Sequence, residues 1–245
     1  MHKMPGQSLI PLKQRYGLPG LMLGSFTPAK KLLKLASKAI SGLNDEIFEH
    51  ATRPAARYLW QGEITRLDSQ QTKDLYARAI SLFEAATGCK PVAHAAHGWQ
   101  INRAALRFHQ LHDLSFASDC RGHSPFWPVA EGEYTRCVQI PVTLPMLEEL
   151  LPELGVERSI EVLLNKTAEQ ENAIHVFNLA ADFDTQYLEQ LGQLFAAWQE
   201  QGYQLVSLGQ LKQSLDLKSL PYHHVELQPL AGRVGKVAVQ GAVYP

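Results

Sequence analysis

We interpret the rest of the chain from one stretch: Ser118-Asp119-Cys120-Arg121-Gly122-His123-Ser124-Pro125-Phe126-Trp127-Pro128. It follows the apolar run 114–117, which is typical of a buried strand. Gly122 and Pro125 then prevent regular secondary structure from continuing, so we expect a loop at the edge of a sheet.

This loop places an acid, a thiol and a guanidinium side by side, because Asp119, Cys120 and Arg121 are consecutive. Phe126 and Trp127 are close enough in sequence to stack over the charge of Arg121. Such a combination suits a polar, anionic ligand. The alternative is an Asp-Arg pair that only fixes the turn, since charges in loops are often only solvated.

Strand and helix patterns alternate along most of the chain. Strands are predicted at 46–50, 91–96, 114–117, 134–142, 173–179 and 203–206. Helices are predicted at 101–112, 157–171, 184–201 and 207–215, and one more begins at Asp68 or Ser69 and is closed by Gly88. This alternation predicts an α/β fold with a mainly parallel sheet, either open or rolled into a barrel.

The chain divides into three segments by composition. Residues 1–44 carry seven Lys or Arg and no Asp or Glu, and 30–40 reads as a short basic amphipathic helix that suits an anionic membrane surface. The alternative is a helix that packs on the core and points its lysines to water. Residues 45–220 form the α/β domain, and 221–245 read as an irregular tail.

The overall composition excludes several classes of protein. With 245 residues, 45% apolar side chains and a formal charge of −1, the chain can bury a large core and has no basic balance for nucleic acid. Its three cysteines lack CxxC spacing, so a reducing compartment fits best. No apolar run reaches the roughly 18 residues of a membrane span, and no signal peptide is recognisable, which predicts the cytoplasmic side.

Three motifs in order carry a resemblance to a known family: Gly98-Trp99, the stretch 118–128 and Gln139-Ile140-Pro141-Val142-Thr143-Leu144-Pro145. Together they resemble the polysaccharide deacetylase family, in particular its branch that deformylates 4-deoxy-4-formamido-L-arabinose on undecaprenyl phosphate during lipid A modification. The resemblance runs from Tyr16-Gly17 to Ala231-Gly232-Arg233. It implies a distorted, incomplete (β/α) barrel that hydrolyses an amide.

The resemblance also implies a set of catalytic groups. The family holds a divalent metal of the zinc, cobalt or manganese type with one Asp and two His. A second Asp is the general base, and a His near the C-terminus is the general acid. The metal lowers the pKa of a bound water and stabilises the tetrahedral oxyanion. By the same resemblance, Trp99, Asp119, Cys120 and Arg121 contact the substrate.

Several of these groups are substituted in this chain. The two metal histidines of the family fall on His50 and Pro54, so only His50 remains as a ligand there. No matching Asp pair precedes His50, and Asn178 stands where the family has its general acid. An amide cannot transfer a proton near neutral pH, and one imidazole does not hold a catalytic ion. We therefore expect no cofactor on the residues present.

Other histidines could replace the missing groups. His97, or else His94, could be a substitute metal ligand, and His175 could be the acid if the register of its strand were shifted. Gln100 replaces the arginine that the family carries after Gly-Trp.

Two functional hypotheses follow. In the first, the chain is a working deformylase or deacetylase whose start codon has been placed too far downstream, and a preceding segment supplies the aspartates. In the second, it is a non-catalytic relative, peripheral on the inner membrane, that binds a lipid-linked sugar, an undecaprenyl phosphate derivative or another pathway protein. The residues present favour the second. An open sheet edge further predicts a homodimer, or cover of that edge by the basic segment.

Overall fold

The computed structural model describes residues 8–10, 64–87, 90–169, 174–231, 233 and 235–245. Three parts of the predictions lie outside these residues: the strand 46–50 with His50, the residue Pro54, and the basic segment except for 8–10. The strands are β1 Ser8–Ile10, β2 Ala93–His94, β3 Phe116–Ala117, β4 Trp127–Ala130, β5 Glu133–Tyr134, β6 His175–Val176, β7 Gln204–Leu205, β8 Tyr222–Pro229 and β9 Lys236–Val243. The helices are α1 Ser69–Thr87, α2 Arg103–Leu111, α3 Leu147–Glu169, α4 Ala181–Asp184, α5 Leu188–Glu200 and α6 Leu208–Ser214.

Strands and helices alternate as expected, which confirms the α/β class. The strands form three sheets: β1 lies between β6 and β7, β2 pairs with β3, and the third has the order β5-β4-β8-β9. All pairs in the first two sheets are parallel, whereas β4 with β5 and β8 with β9 are antiparallel. Within the described residues the strands do not close into a barrel.

An extended segment between β5 and α3 links β3 to β6. The backbone N–H of Ile140 donates to the carbonyl of Ala117 at the end of β3, at 2.7 Å. Further along, Leu144 donates to the carbonyl of Val176 in β6, at 3.1 Å. The residues that follow β3 and β6 are thereby brought to one edge of the fold. In parallel α/β folds this is the edge where ligands bind.

The last 25 residues differ from the prediction of an irregular tail. They form the hairpin β8-β9, which pairs with β4 and buries Val237 and Ala238 in the core. Val237, Ala238 and Val239 form an apolar run typical of a strand, and Gly235 at φ 81° occupies the turn before them. Gly241, within β9, and Gly235 thus belong to the hairpin and its turn.

Two helix boundaries also differ. The helix predicted at 157–171 begins at Leu147, because Glu149 accepts the backbone N–H of Met146 at the first turn, and it kinks at Gly155. The helix predicted at 184–201 is broken by a 3-10 turn at Thr185–Tyr187 before α5 begins. The strand predicted at 134–142 is a regular strand only at its first residue and is otherwise extended chain with isolated bridges.

Other boundaries follow the prediction. Asp68 caps α1: its carboxylate accepts the backbone N–H of Gln71 at 2.8 Å, and Oε1 of Gln71 accepts the backbone N–H of Asp68 at 3.0 Å. Ser207 and Gln210 form the same reciprocal cap on α6.

The core beneath α3 and α5 is organised around Thr167. Its hydroxyl accepts the indole N–H of Trp198 at 3.1 Å, and its carbonyl accepts the hydroxyl of Tyr203 at 2.7 Å. The Tyr203 hydroxyl lies 3.1 Å from Nε2 of His175 in β6, so His175 is a hydrogen-bonded core residue. Among the described residues, no helix combines the length and the apolar character that a membrane span requires.

Candidate functional site

Asp119 follows β3 and lies in the core, with 1% of its side chain exposed. One carboxylate oxygen, Oδ1, lies 2.5 Å from Nδ1 of His94 and accepts the backbone N–H of Ala96 at 2.8 Å. The other, Oδ2, accepts the amide of Gln139 at 3.0 Å and lies 3.4 Å from Nδ1 of His109 on α2. Four elements of the chain thus meet at this carboxylate.

The charges around Asp119 are set by burial and by the two imidazoles. Burial by itself raises the pKa of the Asp119 carboxyl, but the charges of His94 and His109, with hydrogen bonds from His94 and Gln139, hold it below its usual range. Burial, and secondly His94, lower the pKa of His109 to about 3. At neutral pH the cluster therefore holds a carboxylate beside a neutral imidazole of His109.

His94, His109 and Asp119 are also the group of described side chains whose spacing could hold a metal ion. Their ligand atoms all lie within 4.8 Å of one another. Of the histidines predicted as ligands, His50 lies outside the described residues, and His97 forms part of a 3-10 turn, His97–Trp99. His109 was not predicted, although it lies on the apolar face of α2 beside Ala105 and Phe108, and a histidine on such a face is a usable signal.

A second cluster lies on the same edge and is built on Trp99. Gly98 at φ 57° and Trp99 at φ 55° form a left-handed turn after β2 that places the indole in the core. The guanidinium carbon of Arg121 lies 4.8 Å from the ring centroid of Trp99, and that of Arg233 lies 4.9 Å from it. Two cations therefore pack on one indole.

Glu149, in the first turn of α3, neutralises this pair. Its Oε1 accepts Nε of Arg233 at 2.8 Å, and its Oε2 accepts Nη1 of Arg121 at 3.2 Å. Arg233 also pairs with Glu148. Burial lowers the pKa of Arg121, Glu149 raises it, and the nearby charge of Arg233 lowers it further. The two guanidiniums are thus held close together by a carboxylate that an anionic ligand could replace.

Asn178 lies beyond the end of β6, in contact with the same cluster. Its amide Nδ2 donates to Sδ of Met146 at 3.0 Å, and Nη2 of Arg233 donates to the same sulfur at 2.8 Å. The amide oxygen of Asn178 is buried and has no hydrogen-bond partner among the described residues. Asn178 therefore brings a free acceptor to the site but no group that transfers a proton.

The four residues expected to contact a ligand thus occupy different depths. Trp99, Asp119 and Cys120 are buried, whereas Arg121 keeps 11% of its side chain exposed. Arg233, 22% exposed, was not singled out from the sequence, because its contact with Trp99 depends on the fold of the C-terminal hairpin.

Comparison with known sequences identifies relatives over part of the chain. No family model matches. A protein from Shewanella sediminis, named as a 4-deoxy-4-formamido-L-arabinose-phosphoundecaprenol deformylase ArnD, is 28% identical over 145 residues, 59% of this chain and 46% of that protein. A protein of the same name from Wigglesworthia glossinidia is 24% identical over 148 residues, 60% of this chain and 51% of that one. The match thus spans about half the length of these relatives.

Comparison with solved structures supports the same fold. A polysaccharide deacetylase structure from Mycobacterium smegmatis aligns with a TM-score of 0.59 at 13% identity and covers 88% of this chain and 83% of that one. A second, from Pseudomonas aeruginosa, aligns with a TM-score of 0.52 at 13% identity and covers 76% and 71%. The resemblance to polysaccharide deacetylases, and to the ArnD deformylases in particular, is therefore confirmed.

Proposed function

We propose that this chain binds an anionic, lipid-linked amino sugar through Arg121 and Arg233, and that it hydrolyses the amide of that sugar poorly or not at all. The similar proteins are named for deformylation of a formamido-arabinose on undecaprenyl phosphate. We take this phosphate-linked sugar as the ligand class.

The observation that carries the proposal is the pair of guanidiniums on Trp99. Guanidinium groups bind phosphate oxygens through paired N–H donors, and stacking on an aromatic ring fixes their plane. In the described structure the carboxylate of Glu149 accepts hydrogen bonds from both guanidiniums. A phosphate that displaces Glu149 would gain two charge-assisted contacts, which supports recognition of an anion at this position.

The residue at the position of the family's general acid supports weak or absent hydrolysis. Asn178 cannot protonate a leaving amine, because its amide does not titrate near neutral pH. Its unpartnered, buried oxygen can instead accept a hydrogen bond from a hydroxyl or amide N–H of the sugar. Asn178 is therefore suited to binding the sugar, whereas hydrolysis of the amide lacks its proton donor at this position.

The sequence outside the described residues supports a location at a membrane surface. Residues 1–44 carry seven basic side chains and no acidic one, and each basic residue near an anionic surface contributes about 1 kcal/mol. We therefore propose that the chain is peripheral on the cytoplasmic face of the inner membrane, where a lipid-linked ligand is accessible.

Calorimetric titration tests the binding site. The probe is a water-soluble, short-chain prenyl phosphate ester of the formamido sugar, added to the full chain. We expect saturable binding that Arg233→Ala weakens at least tenfold, about 1.4 kcal/mol. The control is Arg158→Ala, which removes an exposed arginine from α3. Equal affinities of the wild type and Arg233→Ala would contradict the proposal, and release of formate during the titration would favour the working deformylase instead.

A further inference from the structure

The cluster of His94, His109 and Asp119 contains buried polar atoms that have no hydrogen-bond partner in the core around it. His109 is 0% exposed, and neither of its ring nitrogens has a hydrogen-bond partner among the described residues. The hydroxyl of Tyr76, on α1, is also buried without a partner in the described part of the chain. Buried polar atoms are almost always satisfied, so several orphans in one place indicate a missing partner.

These orphaned groups surround one point. The ring of Tyr76 packs against both imidazoles, with centroid distances of 5.0 Å to His94 and 5.5 Å to His109. The two imidazole centroids lie 4.4 Å apart. Two imidazoles and one carboxylate from three separate elements therefore lie together, with their ligand atoms within 4.8 Å of one another and the ring of Tyr76 packed against the imidazoles.

We propose that His94, His109 and Asp119 bind a divalent transition-metal ion of the zinc type where β2, α2 and the end of β3 meet. Imidazole and carboxylate are established zinc ligands, and metal-ligand bonds of about 2.0–2.2 Å in a tetrahedron place ligand atoms about 3.4 Å apart. The distance between His109 Nδ1 and Asp119 Oδ2 is 3.4 Å. His94, now 2.5 Å from Asp119 Oδ1, gives up that hydrogen bond or turns its other nitrogen to the ion.

The state of the ligands suits a metal. Metal binding needs a carboxylate and imidazole lone pairs, and these three side chains bring such atoms within 4.8 Å of one another. The side chains of all three ligands are buried or nearly so, which suits a site that joins β2, α2 and the end of β3 rather than one that meets substrate.

This site differs from the one that the resemblance implies. The metal histidines of the family fall on His50 and Pro54, whereas His94 and His109 lie on β2 and α2. The inference is therefore independent of the sugar-binding proposal, and either can fail without the other.

Metal titration of the full chain, freed of metal by dialysis against a chelator, tests the site. We expect one zinc ion per chain by elemental analysis and a higher midpoint of thermal unfolding with zinc. Cobalt added in place of zinc should give the visible absorption of a tetrahedral ion. His109→Gln should weaken zinc binding at least tenfold. His112→Gln, which changes an exposed histidine one turn along α2, should leave it unchanged.

A second measurement tests the proposal even if the variant His109→Gln fails to fold. In the wild type with ¹⁵N-labelled histidine, zinc should shift the ring signals of His94 and His109 and leave those of His112 in place. Less than a tenth of an equivalent of zinc, with no change in thermal unfolding, would overturn the proposal. So would zinc binding that His109→Gln leaves intact, or ring shifts confined to other histidines.

Discussion

Replacement of Glu149 by glutamine should make the protein less stable and, at the same time, a better binder of anions. Glu149 is 5% exposed and accepts hydrogen bonds from both Arg121 and Arg233. A glutamine keeps the shape but offers a single acceptor oxygen and turns an N–H₂ group towards a guanidinium. The two cations then lose the anion that separates them.

The size of the effect follows from these contacts. A hydrogen bond to a charged group contributes about 1.5–3 kcal/mol, and a buried charge that loses its partner costs about 3–5 kcal/mol. Because Arg233 is 22% exposed and retains Glu148, we expect Glu149→Gln to lower the free energy of unfolding by about 2–4 kcal/mol. The freed guanidiniums should bind a short prenyl phosphate at least tenfold more tightly, about 1.4 kcal/mol.

Urea unfolding followed by circular dichroism measures the first effect, and calorimetric titration at low salt measures the second. The control is Glu131→Gln, since Glu131 is 72% exposed and pairs with Arg103 at the surface. That variant should change the free energy of unfolding by less than about 1 kcal/mol and leave anion binding unchanged. The reasoning is refuted if Glu149→Gln is as stable as the wild type, or if its affinity for the phosphate does not rise.

Three further changes test other parts of the structure. Gly122→Ala should cost about 1–3 kcal/mol in urea unfolding, because its Cβ would lie 2.5 Å from Oε1 of Gln240; a wild-type midpoint would contradict this. Burial, and then the charge of Asp119, raise the pKa of the Cys137 thiol, so the unfolded chain loses this proton first. The free energy of unfolding should therefore fall as the pH rises above about 8.5. The variant Cys137→Ala should reduce the slope of this fall by up to about 1.4 kcal/mol per pH unit, and an unchanged slope would argue against a buried thiol. Thr167→Val should cost about 1–3 kcal/mol, because it leaves the indole N–H of Trp198 without its acceptor, and calorimetric melting that shows no loss would exclude this role.

Local patterns in the sequence predicted much of the fold. The cap at Asp68 and the apolar spacing that follows it predicted α1, because both signals lie within a few residues of one another, and the helix predicted at 207–215 is α6. The C-terminal hairpin was missed, since its glycine-rich turn resembled an irregular tail. Pairing with β4, which is distant in sequence, stabilises that hairpin.

The candidate site was predicted only in part, for the same reason. The sequence indicated Trp99 and Arg121 through two separate motifs of the resemblance, and Asn178 through the register of its strand. Arg233 joins Trp99 from more than a hundred residues away, and His109 reaches Asp119 from α2. Contacts of this kind depend on packing between separate elements, and local patterns in the sequence do not reveal that packing.

Assay of formate release by the 245-residue chain tests the central claim most directly. The soluble formamido-sugar phosphate is incubated with the protein at a concentration that saturates binding, with and without added zinc, and formate is measured enzymatically. We expect saturable binding with formate no higher than in the protein-free control. Catalytic release of formate that a chelator abolishes would contradict it.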